Sequence, residues 1–136
     1  MASADVMTAV AARVAANWSH TPIIGPNLDG KVPDDGSAYL AITYPVANED
    51  MKSQGAPGAN VWREWGAFRV VLAVPIGIGL DLWAPRLDTL RAALRGKVFD
   101  GITTFEATPP VVGDETDDGA YFEVSTSVAY KFDVFG

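Results

Sequence analysis

The sequence has no cysteine, a single histidine, and only 10 lysine and arginine residues against 17 aspartate and glutamate. The lack of cysteine removes disulfides, thiolate nucleophiles and thiolate metal sites, and says little about redox compartment. A net charge of -7 opposes nonspecific attachment to nucleic-acid phosphates and anionic membranes. No apolar run approaches the roughly 20 residues needed to span a bilayer. The N-terminus lacks a basic region followed by an apolar one, so the chain is expected to stay in the compartment where it is made. With one histidine, Ser-His-Asp catalysis would have to run through His20. No serine stands in a nucleophile-elbow context to partner it, and a cation just past a helix end suits the helix dipole.

What is present is a chain of 136 residues with 49% hydrophobic content. That excludes a disordered polypeptide and fits one domain, residues 1–136, with a substantial core. Between positions 4 and 18, Val6, Val10, Val14 and Trp18 recur every four residues among alanines, with Asp5 near the positive end, which predicts a helix. Residues 19–37 have no sustained period and read as a long extended connection. Leu40, Ile42 and Tyr44 mark a strand that Pro45 is expected to end. Residues 46–60 are polar, with Gly55, Pro57 and Gly58, and read as a mobile loop.

The densest signal lies at residues 61–96. Phe68, Val70, Leu72 and Val74 fall on one face of a long strand by period two. Pro75, Gly77 and Gly79 form a turn. Trp83, Leu87, Leu90 and Leu94 then follow at helical spacing, with Arg91 and Arg95 at the negative end and Gly96 as a cap. A short strand is expected at 102–107, closed by Pro109-Pro110. From 121 to 132, Phe122, Val124, Thr126, Val128, Tyr130 and Phe132 alternate with Tyr121, Glu123, Ser125, Ser127, Ala129 and Lys131, a strand with one buried face. The order helix, strand, strand, helix, strand, strand predicts an α+β fold. Its mainly antiparallel sheet of four to five strands carries two helices packed on one face.

Candidate chemistry is thin. Gly77 and Gly79 imitate the start of a dinucleotide fingerprint, but its third glycine falls on Leu82, and Asp81 would repel a phosphate. Asp114, Glu115, Asp117 and Asp118 resemble part of a calcium loop, but its terminal glutamate position falls on Ser125 and no helices flank it, so the run reads as a solvated hairpin turn. Asn17-Trp18-Ser19 matches a glycosylation sequon without a signal peptide to give it meaning. No catalytic, cofactor or metal residue emerges. Trp62 and Trp65 flank Arg63 and Glu64, and aromatics with arginine are enriched at protein interfaces. Their opposite parity places one tryptophan toward the core and the other toward solvent or a neighbour.

The ordered set of elements resembles the phage tail terminator family over nearly the whole chain. The resemblance rests on Ala15-Ala16-Asn17-Trp18, Thr21-Pro22-Ile23, the strand Ala38-Tyr39-Leu40-Ala41-Ile42, and the long strand ending Val74-Pro75 before Gly77-x-Gly79 and a helix. Gly101-Ile102-x-x-Phe105 and Gly119-Ala120-Tyr121-Phe122-Glu123-Val124 complete it. It implies a non-enzymatic virion protein, assembled in the host cytoplasm, that forms a homo-hexameric ring on the tail tube, ends its polymerisation and offers a surface for head joining. Implied partners are further copies of itself, the tail-tube protein and a head-completion or connector protein. DNA only passes through the lumen, and no membrane or cofactor is involved.

A ring contact needs two different patches per subunit. Expected interface residues are Trp62, Arg63, Trp65 and Arg69 with Tyr121, Glu123, Ser125 and Ser127. Glu49, Asp50, Lys52, Asp114, Glu115, Asp117 and Asp118 are expected in loops that line a bore or face a partner. The alternatives are another neck or head-tail completion protein, or a small-ligand-binding domain or hydrolase built on residues 114–118 and His20.

Overall fold

The computed structural model describes residues 2–25, 37–77, 80–115 and 121–136. Helix α1 (Ala4–Asn17) is followed by strands β1 (Ile23–Ile24), β2 (Tyr39–Met51) and β3 (Val61–Pro75). Helix α2 (Trp83–Leu94) leads to β4 (Val98–Phe99), β5 (Ile102–Ala107), β6 (Val111–Glu115) and β7 (Tyr121–Phe135). The seven strands form one sheet in the order β1-β2-β3-β7-β5-β4, with β6 also paired to β7. Among the described residues, all pairings are antiparallel except β1 with β2.

The sheet is therefore mixed and larger than the expected four to five strands. The additional strands β1, β4 and β6 have two, two and five residues, too few to express a period. The long connection expected at 19–37 contains β1, and its residues 26–36 lie outside those described. Gly79 of the turn before α2 also lies outside them, whereas Gly77 has φ +89 in that turn.

Both helices join one hydrophobic cluster on a single face. Val6, Val10 and Val14 of α1 and Leu87, Leu90 and Leu94 of α2 are buried with Leu40, Ile42, Phe68, Val70, Leu72, Val74, Val124 and Val128. Each such side chain contributes about 1.5–3 kcal/mol by leaving water. Two arginines tie the helices down. Arg13 Nε and Nη2 donate to the Ala93 carbonyl at 3.1 and 2.9 Å, and Arg91 Nε and Nη2 donate to the Ala107 carbonyl at 3.3 and 3.2 Å. Helix α2 ends as its sequence indicates, with Gly96 at φ +59, a left-handed position that suits glycine. The buried Thr104 hydroxyl donates to the Leu94 carbonyl and accepts the Lys97 N–H at 2.8 Å, joining the helix end to β5.

Pro45 does not end β2. The β2–β3 register shifts between Thr43 and Val46, so the proline sits at a bulge, where its missing N–H leaves no gap in the ladder. Gly66 makes the bulge possible: a Cβ there would lie 2.0 Å from the Val46 carbonyl oxygen. Residues 46–51, expected in a loop, are strand. The remaining loop, 52–60, is organised around buried Asn60. Its side-chain oxygen accepts the Gly55 N–H at 2.6 Å and its amide donates to the Ala56 carbonyl at 3.2 Å. Its backbone exchanges two hydrogen bonds with Gly136, at 3.2 and 2.8 Å.

Candidate functional site

Both helices cover one face; among the described residues no helix covers the other face of the central strands, which is exposed around Trp65 and Arg69 and buried at Ala73. Alternation along β3 and β7 carries Arg63, Trp65 and Arg69 with Glu123, Ser125 and Ser127 onto this open face. Arg69 pairs in register with Ser127, Val71 with Ser125, and Ala73 with Glu123. Arg69 is exposed and has no hydrogen-bond or ion-pair partner among the described residues. Its neighbours on this face are Ala67 and Val71 along β3, Thr43 on β2 and Ser127 on β7.

Tyr121 departs from the expected exposed set. It is 4% exposed, its ring stands edge-on to Tyr39, and its hydroxyl donates to the Ser37 carbonyl at 3.0 Å.

At the far end of the open face, Arg63 grips Asp133 with two bonds of 2.8 and 3.1 Å. The hydrogen bond holds the Asp133 carboxyl below its usual range and raises the guanidinium pKa further. Both side chains are substantially exposed, so the pair adds little to stability. Trp65 is 45% exposed and donates through Nε1 to Asp50 Oδ2 at 2.9 Å, an oxygen that also lies 3.7 Å from Lys52 Nζ.

Trp62 lies on the helix side but is only half-buried, donating from Nε1 to the Gly136 carbonyl at 2.9 Å. Parity sets the two tryptophans on opposite faces, and neither is among the buried core residues. The core position between them belongs to Glu64, at 8% exposure. Glu64 Oε2 accepts the Tyr130 hydroxyl at 2.6 Å and the Ser3 N–H at 3.3 Å, next to the positive end of α1. Burial first, and then the neighbouring Glu64, push the Tyr130 phenol well above its ordinary range. Tyr44, which donates to the Met7 carbonyl at 3.3 Å, is raised by burial to about 12. Sequence reading missed Glu64 although parity marks it: it shares the even-numbered face of Phe68, Val70 and Leu72.

The acidic candidates separate. Glu49 and Asp50 are exposed on β2, and Lys52 follows it; Asp114 and Glu115 belong to β6 rather than to a turn. Asp117 and Asp118 lie outside the described residues, as do the side chains of Asp114 and Glu115. His20 is exposed with its ring edge-on to Trp18 at 5.1 Å. Among the described residues, no three His, Cys, Asp or Glu side chains are grouped to hold a metal ion. An open hollow bounded by Met51, Gln54, Gly55, Pro57, Gly58, Asn60 and Trp62 has no titratable side chain in its wall, so it offers no acid or base. Among the described residues, no helix is long and apolar enough to cross a membrane.

The described residues form an α+β fold with both helices on one face of a mixed sheet. The comparisons with known proteins give the particular kind. The model of the phage tail terminator protein family matches residues 5–130, and the chain belongs to that family of structural phage tail proteins. A solved structure aligns with 100% of this chain and 99% of its own, at 22% identity and a TM-score of 0.63, a likeness of fold. No curated protein matches the sequence.

Proposed function

We propose that the chain caps the phage tail tube as a subunit of a ring of roughly six copies, ends tube polymerisation, and presents the surface to which the head is joined. Membership of the phage tail terminator family carries this reading. The one-sided packing supports it, since the open face and the strand edges give one subunit several separate surfaces for its own copies and for tube and head partners. The net charge of -7 supports a lumen through which DNA slides, because a negative bore repels phosphates. Assembly takes place in the host cytoplasm, and the protein then resides in the virion.

The test is polymerisation of the tail-tube protein with and without this chain. Tubes that stop growing and carry a ring at one end in electron micrographs are expected. Tubes of unchanged length with bare ends would remove the reading.

A further inference from the structure

The two lateral edges of the sheet stand at the same height. Register carries one row from Asn48 through Trp65, Lys131 and Thr103 to Val98, and the next from Glu49 through Glu64, Phe132 and Ile102 to Phe99. Strand β2 forms one end of these rows and β4 the other. Neither has a further strand partner there among the described residues. Strand β1 covers β2 only at Leu40 and Ala41, and β4 pairs only with β5. Unpaired backbone N–H and C=O groups along an edge are a template for a further strand, here over Val46–Met51 on β2 and over the two residues Val98–Phe99 on β4. Both edges also expose apolar side chains, Val46 and Met51 on β2 and Val98, 76% exposed, on β4.

From this geometry we infer that the β2 edge at Val46–Met51 pairs with the β4 edge of a second copy of this chain, joining neighbouring subunits of the proposed ring into one sheet. Four successive antiparallel pairings separate β2 from β4, so the two strands run the same way. A rotation about an axis along the strands therefore sets β4 of one copy parallel to β2 of the next. Because the edges share a level, each added copy continues the sheet without a step. A head-to-tail contact closes into a ring only under that condition; a step would produce a helical filament.

Charge supports the same occupant. Glu49 and Phe99 share a row and hence a face, and alternation puts Lys97 on that face two residues before Phe99. Across the joint, Lys97 becomes the diagonal neighbour of Glu49, within reach of long side chains at about 7–8 Å. Neither has an ion-pair partner among the described residues. Within its own chain Glu49 stands opposite Glu64, an arrangement that favours a cation from outside.

This inference rests on the ring reading but is tested separately. The chain has no cysteine, so Asn48→Cys and Val98→Cys together introduce the only thiols. Within one chain these positions are four strand spacings apart, about 19 Å, beyond the roughly 7 Å a disulfide tolerates. Oxidation of the double variant should give a ladder of linked multimers on a denaturing gel, whereas either single variant stops at dimers. Glu49→Lys or Lys97→Glu should weaken self-association about tenfold, and the two together should restore it. Rings that cap tubes yet give no ladder and ignore the charge reversals overturn this contact and leave the proposed function standing. A chain that stays monomeric with and without tubes overturns the contact too. A ladder from a protein that leaves tube length unchanged supports the contact and removes the capping role.

Discussion

The Tyr130 hydroxyl and the Ser3 N–H converge on one oxygen of Glu64, at 2.6 and 3.3 Å, so a carboxylate from the middle of β3 holds both the last strand and the start of the first helix. Ser3 is the N-cap of α1 but makes no side-chain capping bond, and the carboxyl group beside it favours the positive end of the helix instead. Tyr130→Phe keeps the ring and its packing on Phe68 but leaves Glu64 short of a donor. The expected loss is about 1.5–3 kcal/mol, read as a lower urea midpoint at unchanged slope. A loss within error would show that water replaces the hydroxyl without cost.

Alkaline pH should act through the buried phenols. Tyr44 has a folded-state pKa of about 12 against an ordinary value of 10.0. A raised pKa means the folded state holds the proton more tightly, so this stabilisation is complete below pH 10. It is lost as pH climbs from about 10 through about 12. Tyr130 shifts in the same direction. Phenolate absorbance compared with circular dichroism should show these two hydroxyls ionising only as the fold opens. Tyr44→Phe should flatten the decline in stability across that window.

Gly66 and Gly58 should respond differently to alanine. At Gly66 the new Cβ meets the Val46 carbonyl oxygen, which belongs to a backbone fixed by its pairing with β3. The strands must separate at the bulge, at an expected cost of about 1–3 kcal/mol or more. Gly58 has φ +85 and open space around it, so Gly58→Ala costs only the left-handed backbone penalty, about 1–2 kcal/mol. Thermal melts of the two variants check the order. Equal losses would mean that the bulge relaxes freely.

The elements legible in the sequence were those long enough to show a period. Phe68 through Val74 and Phe122 through Phe132 fixed two strands, and the spacings Val6-Val10-Val14 and Leu87-Leu90-Leu94 fixed both helices. The short strands carry no such signal, since their pairing is set by neighbours remote in sequence. Pro45 misled because a proline excludes one ladder bond rather than a strand, and the compensating glycine lies 21 positions away at Gly66. The candidate surface was half legible: parity placed Arg69, Ser125 and Ser127 on one face. Tyr121 has the same parity, but contacts with Tyr39 and Ser37 bury it.

Arg69 separates folding from assembly. Among the described residues its guanidinium has no partner, and it stands exposed on the face away from the helices, beside Ala67, Val71, Thr43 and Ser127. An arginine that supports no internal contact can be removed with little effect on the fold, so Arg69→Ala should change stability by less than about 0.5 kcal/mol. If the open face meets a tail or head partner, the same side chain is placed as an anchor, and anchors of this type cost about 2 kcal/mol or more when truncated. The expected result is an unchanged melting curve with at least a roughly tenfold weaker capping of tail tubes or joining of heads. Arg69→Lys should recover only part of the loss, because a point charge cannot reproduce a planar fork of donors. Full capping and head joining by Arg69→Ala would show that the open face is not the partner surface, and attention would pass to the strand edges.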